Sequence, residues 1–182
     1  MSKNMNEKLA EKTLHSELVF QGRFLKVYRD QVQLPDGGIG HREYITHPGA
    51  AAILPILDSG EILLVEQYRH ALKKVFFEIP AGKKDRGEDP EKTAHRELEE
   101  ETGFKASKLE YMTVIHPVIG YANEAIYLYK ATGLIQGPQR LDPGEFLELK
   151  KFSSEELKEK VKKGEITDVK TLTALFWHWS FS

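Results

Sequence analysis

The stretch that decides the fold is Gly82 to Phe104, GKKDRGEDPEKTAHRELEEETGF. Its second half carries the local marks of a helix. Asp89 can accept from the orphan N–H groups of a first turn, and Pro90 suits the first helical position, where no amide hydrogen is needed. Gly103 can adopt the left-handed conformation that ends a helix. Between these limits Ala94 and Leu98 stand four apart and form a short apolar strip for the core. Glu97, Glu100 and Glu101 stand beside that strip at i, i+3 and i+4, so three carboxylates share one face. Like charges at these spacings destabilise a helix by roughly 0.2–0.5 kcal/mol per pair. A divalent cation is the natural compensation. A solvated acidic face is the plain alternative, since glutamate is a good helix former.

The first half of the stretch bears on that choice. Gly82 is followed after five residues by Glu88, after seven more by Arg96-Glu97-Leu98, and then by Glu100-Glu101 and Gly103-Phe104. This resembles the Nudix box: glycine, five residues, glutamate, seven residues, Arg-Glu-aliphatic-any-Glu-Glu-any-Gly-aliphatic. All seven fixed residues are matched, Leu98 fills the first apolar slot and Phe104 the last. The chemistry suits the spacing. A diphosphate is densely anionic, so an anionic nucleophile can approach it only with cations present. Hard oxygen ligands on Glu97, Glu100 and Glu101 suit Mg²⁺ or Mn²⁺, which clamp a diphosphate and lower the pKa of a bound water. Arg96 is read as pointing elsewhere on the helix and pairing with Glu88, and Gly82 as a tight bend that turns the Ala81 carbonyl toward a metal. The resemblance implies the Ala81 carbonyl, Glu97 and Glu101 as main ligands, with Glu100 close by. Glu100 and Arg96 are also counted in the catalytic group.

The rest of the chain sets limits. Its 182 residues suffice for one main domain with a small appendage. A net charge of −2 makes no broad basic field, so nucleic acid is not an expected partner. There is no cysteine, which excludes disulfides and thiolate chemistry and fits a reducing, cytoplasmic setting. The N-terminal MSKNMNEKLAEKTLHS lacks the apolar core of a signal peptide, and the run Ala50–Leu57 is too short to cross a bilayer.

Residues 1–16 read as a polar, frayed or briefly helical tail. Leu18–Phe20, Phe24–Arg29 and His41–Ile45 read as three short strands separated by turn residues. Such a sheet is marginal alone and must pack on something. It resembles the N-terminal sheet of ADP-ribose pyrophosphatases, which implies a homodimer, with Arg42 and Glu43 reaching substrate. Phe24 and Tyr28 have two readings, stacking on a base or filling a core. The expected division is 1–47 for the tail and dimerisation sheet and 48–182 for the hydrolase domain.

Strands follow at Ala51–Leu57, Glu61–Tyr68 and Val75–Ile79. Arg69, just after the second of these, matches a family arginine that leads toward the diphosphate; a rim arginine is the alternative. Beyond the helix, Leu109–Ile115 and Glu124–Ala131 alternate like strands. Between them Pro117, Gly120 and Glu124 resemble the marker of the ADP-ribose and nucleotide-sugar subgroup, which places Glu124 among the substrate residues, although Pro117 lies closer to the box than is typical. His116 either caps the strand or touches substrate. The loop Gln136–Glu148 suits a mobile catalytic acid, with Glu145 first and Asp142 and Glu148 next. Ser153 opens one helix and Asp168 a last one, whose inward stripe is read as Leu172, Leu175, Phe176 and Trp179.

The resemblance as a whole implies an α/β protein with the Nudix α/β/α sandwich around a mixed sheet, plus the small antiparallel N-terminal sheet. The implied activity is Mg²⁺-dependent hydrolysis of ADP-ribose or a related nucleoside diphosphate sugar, with no membrane partner. A different Nudix specificity, for dinucleoside polyphosphates or oxidised nucleotides, and a non-catalytic ligand-sensing module are the alternatives.

Overall fold

The core is built on strands whose apolar residues run without interruption. Ala50–Pro55 (β4) is buried at every position, and Ile62–Arg69 (β5) begins with four buried aliphatic residues. Strands of that kind are covered on both faces. The computed structural model describes residues 8–181. Two compact units emerge: residues up to His47 with Val118–Glu124, and Pro48–Pro117 with Ala125 onward.

The first unit is an antiparallel sheet in the order β1-β2-β3, from Lys12–Gln21, Lys26–Gln33 and Ile39–Thr46. Its strand β1 covers residues 12–16, where a frayed or helical tail is expected; the first seven residues of that expectation lie outside the described ones. Residues 118–124 join this unit through Ile45, whose N–H donates to the Tyr121 carbonyl at 2.8 Å.

The second unit holds two sheets. A mixed sheet runs β7-β4-β9-β8, with β7 at Ala81–Lys83, β8 at Phe104–Ile115 and β9 at Ile126–Gln136; β4 and β9 are parallel and the other pairs antiparallel. An antiparallel sheet runs β10-β5-β6, with β6 at Lys74–Glu78 and β10 at Leu147–Phe152. Alternation along β4 feeds two cores. Ala51 and Ile53 pack with Ala94 and Leu98 of helix α1 (Pro90–Thr102). Ala52 and Leu54 pack with Ile62, Leu64, Leu157 of α2 (Ser154–Lys162) and Leu175 of α3 (Val169–Phe181). Helices thus cover the mixed sheet from both sides, the expected α/β/α arrangement. Burying each such leucine contributes roughly 1.5–3 kcal/mol.

Helix α3 departs from the expected stripe. Leu175 is fully buried, but Phe176 is 52% exposed, and Lys170, Thr171 and Ala174 point inward instead. The reason is polar: Thr171 Oγ1 accepts the Ile79 N–H at 2.8 Å, and Lys170 donates to Glu78. Those bonds set the rotation of the helix, and the apolar count alone does not reveal them.

Candidate active site

Helix α1 begins and ends as its sequence dictates. The Asp89 carboxylate accepts the Glu91 N–H at 2.9 Å, Pro90 follows, and Gly103 at φ 74° donates its N–H to the Glu99 carbonyl. Leu98 and Ala94, both fully buried, fix the helix rotation and so bring Glu97 and Glu101 toward β7. Glu101 Oε2 accepts the Ala81 N–H at 3.0 Å.

Gly82 explains itself through Glu97. A Cβ on Gly82 would stand 2.0 Å from Glu97 Cδ and Oε1. Its φ lies outside the left-handed region, so the expected tight bend is not what demands glycine. The missing side chain leaves the space that the Glu97 carboxylate fills.

Burial and charge act together here. Glu101 is 3% exposed, and its carboxyl is pushed up to about 8, first by burial and then by the charges of Glu97 and Glu145, against the pull of the Ala81 N–H. Burial also raises the Glu97 carboxyl, with Glu100 and Glu145 adding to the rise and Arg96 opposing it. The loop carboxylate of Glu145 is therefore felt at both helix carboxylates.

Arg96 does pair with Glu88, through Nη2 at 3.0 Å and Nε at 3.3 Å, and its bonds hold the Glu88 carboxyl down at about 2. It does not point away from the acidic face, however. Its Nη1 also donates to Glu97 Oε1 at 2.7 Å and to Glu100 Oε2 at 3.0 Å. One guanidinium spans three carboxylates: Glu100 one helical turn on, the adjacent Glu97, and Glu88 from the loop before the helix. Part of the compensation assigned above to a cation thus comes from Arg96.

Among the described residues no three His, Asp or Glu side chains converge into a ready-made metal cage. Arg96 takes one oxygen from Glu97 and one from Glu100, and each carboxylate has a second. An open set of hard oxygens, with buried Glu101 and half-buried Glu97 both resisting ionisation unaided, fits a divalent ion that keeps its own waters and is completed by substrate phosphates.

Loop 137–146, between β9 and β10, is tied to the end of α1. The Gly137 N–H donates to Gly103 O at 2.6 Å, Gln139 Nε2 to Glu101 O at 2.5 Å and the Arg140 N–H to Glu100 O at 3.0 Å. These bonds satisfy helix-end carbonyls. A turn then returns the Glu145 N–H to the Asp142 carbonyl at 2.9 Å, with Gly144 at φ 89°. Glu148, expected in this loop, lies instead on β10, where Lys150 engages it at 2.7 Å.

The remaining expected site residues have partners of their own. Arg69 Nε and Nη2 donate to the two oxygens of Glu78 at 2.6 and 2.7 Å. In the first unit Arg42 pairs with Glu11 and Glu43 with Arg29, while Glu124 lies 3.5 Å from His47 Nδ1. Tyr28 stacks on Tyr44 and Phe24 meets His47 edge-on, each with ring centroids 5.7 Å apart. His116 is exposed. Sequence reasoning passed over Glu78, Lys170 and Thr171; the signal for Glu78 was a charge inside the apolar run FFEIP. Among the described residues no helix is long and apolar enough to cross a membrane.

Comparison with known proteins adds to this geometry. The family model described as the NUDIX domain matches residues 46–175, and the model described as the nucleoside diphosphate sugar hydrolase N-terminal domain matches residues 11–45. A Bacillus subtilis (strain 168) protein named ADP-ribose pyrophosphatase is 40% identical over 169 residues, covering 92% of this chain and 91% of that one. A Bacillus methanolicus protein named methanol dehydrogenase activator is 42% identical over 173 residues, 94% of each chain. A solved structure described as an ADP compounds hydrolase superposes with a TM-score of 0.86 at 21% identity, covering 97% of this chain and 96% of that one, which shows the fold.

Proposed function

This chain belongs to the Nudix hydrolase family, and on that premise we propose that it hydrolyses the diphosphate bond of ADP-ribose or a related nucleoside diphosphate sugar, giving a nucleoside monophosphate and a sugar phosphate. The observation that carries the reading is the pair of carboxylates, Glu97 half-buried in the space left by Gly82 and Glu101 buried on the Ala81 N–H, with Glu145 electrostatically coupled to both. The Ala81 carbonyl, Glu97, Glu100 and Glu101 would hold Mg²⁺, with Mn²⁺ able to substitute. Bound there, such an ion would offset diphosphate charge and acidify water. Arg96 keeps the carboxylates oriented and tied to the Glu88 loop. Glu145 accepts the proton of the attacking water, and Arg69 offers its unbonded N–H edge to the diphosphate.

Arg42, Glu43, Glu124, Phe24 and Tyr28 are proposed for the nucleoside end, in a homodimer formed through the N-terminal unit. Edge strand β1 exposes Leu14, Leu18, Val19 and Phe20, an apolar strip that a second copy would cover. The proposed setting is the cytoplasm. A second reading, activation of a partner enzyme, is favoured by the likeness to the protein named methanol dehydrogenase activator. The test is phosphate release with a coupled phosphatase, with and without Mg²⁺, across ADP-ribose, other nucleotide sugars, dinucleoside polyphosphates and oxidised nucleotides. The reading holds if kcat/KM is highest for ADP-ribose or another nucleotide sugar and fails if either of the last two substrates leads.

A further inference from the structure

A buried ion network lies beside the proposed diphosphate arginine, and the reaction as described above leaves it without a role. Glu78 is 3% exposed, yet its carboxyl lies below the ordinary range. Both of its oxygens are engaged by Arg69, and Oε2 also by Lys170, itself only 7% exposed. Lys170 Nζ reaches Asp168 Oδ2 at 3.0 Å, and that same oxygen accepts Thr171 N–H and Oγ1–H at 3.0 and 2.6 Å. Thr171 Oγ1 in turn accepts the Ile79 N–H at 2.8 Å. Asp168, just before α3, and Lys170 and Thr171 in its first turn thus hold β6 at its end, three residues before Ala81. Arg69, Glu78, Asp168 and Lys170 line one open cleft of about 470 Å³.

We propose that Asp168, Lys170 and Thr171 form a positioning clasp for substrate recognition, in which Lys170 fixes Glu78 and Glu78 fixes the Arg69 guanidinium for a diphosphate. The proposal rests on the reading of Arg69 as a substrate residue and deepens it. Geometry and charge both support it. A guanidinium has five N–H donors in a rigid fork. Glu78 takes one from Nε and one from Nη2, so three remain on the edge turned from Glu78, and the Arg69 side chain is still 45% exposed. Two cations and two anions make the network neutral. Without Lys170 it carries a net charge of −1 beside an incoming polyanion, and Glu78 is free to pull Arg69 inward. Lys170 touches no substrate in this scheme and acts through Arg69.

The test is a double-mutant cycle of Lys170→Met and Arg69→Gln in the full chain, reading kcat and KM for ADP-ribose at saturating Mg²⁺ together with thermal unfolding. Lys170→Met is expected to raise KM roughly tenfold with a smaller change in kcat, and to add little in the Arg69→Gln background. Lys170→Arg should recover most of the loss, because it restores the charge. Equal KM effects in both backgrounds, or no KM effect at all, overturn the clasp: Lys170 then serves stability alone. An Arg69→Gln variant with unchanged KM overturns the substrate role of Arg69 itself, a failure visible before Lys170 is altered. If Lys170→Met does not accumulate as folded protein, Lys170→Gln, which keeps a donor for Glu78 but no charge, takes its place in the same cycle. The same pattern of KM changes then supports or overturns the clasp.

Discussion

Replacing Gly82 with alanine isolates one carboxylate from the fold that carries it. The new Cβ would lie 2.0 Å from Glu97 Cδ and Oε1, whereas real Cβ contacts essentially never fall under 3.0 Å, so the carboxylate must retreat by about 1 Å or more. The backbone need not move, because Gly82 is not left-handed and the obstructing atoms end a flexible side chain. Stability therefore feels opposing effects. Gly→Ala at a tolerated conformation adds roughly 0.4–1 kcal/mol through the unfolded chain. Loss of the 2.7 Å Arg96–Glu97 contact, part-buried, removes about 1 kcal/mol. The net is within about 1 kcal/mol, or roughly 2–4 °C in Tm. Activity has no such offset. A 1 Å misplacement at a reacting centre costs about 10²-fold, which is roughly 2.7 kcal/mol of transition-state stabilisation. The assay is kcat/KM for ADP-ribose beside thermal unfolding. A Gly82→Ala enzyme within twofold of wild type would refute the role given to Glu97. One that unfolds would show that the glycine serves the backbone after all.

The other carboxylates and the edge strand can be probed in the same way. Glu145→Gln should lower kcat by about 10²–10⁴-fold with little change in KM, whereas Glu97→Gln should move the Mg²⁺ midpoint to higher concentration; a Mg²⁺ titration of kcat for both variants overturns the assignment if the two behave alike. Glu88 has its carboxyl held near 2 against an ordinary 4.5, chiefly by Arg96, so its contribution to stability is present above about pH 4.5 and is lost as pH falls toward 2. The Tm difference between wild type and Glu88→Gln should therefore shrink across that interval, and a difference that stays constant would count against the ion pair. Light scattering should give twice the monomer mass at working concentration; replacing Phe20 and Leu18 with serine should restore the monomer, and a wild-type monomer would remove β1 as an interface.

What could be read beforehand depended on how local its cause was. The caps and strip of α1 lie within a few residues of one another, so Asp89, Pro90 and Gly103 announce the helix and the glutamate spacing announces the site. Strand β1 gave little signal because every residue from Lys12 to Gln21 is exposed, and the alternation that marks a half-buried strand has nothing to alternate with. Strand β7 is three residues long and exists only by pairing with Ala50–Ala52. Strand β8 begins at Phe104, directly after the helix cap, five residues before the expected start, because Phe104–Ala106 pair with Leu134–Gln136 while Lys105 and Lys108 face water. At the site, the reach of Arg96 to Glu97 and Glu100 depends on its side-chain conformation, which no residue pattern encodes. The bond between Lys170 and Glu78 spans 92 residues and is created by the fold itself.

The anchoring of Gly137, Gln139 and Arg140 to the last carbonyls of α1 also limits how substrate can come and go. Only residues 141–146 lie between the fixed Arg140 and the paired Leu147, so Glu145 rides a tether of six residues held at both ends. A tether that short, pinned at both ends, limits how far the Glu145 carboxylate can travel. If Glu145 is the proton acceptor proposed above, it would then act from a nearly fixed place rather than arrive with a closing cover.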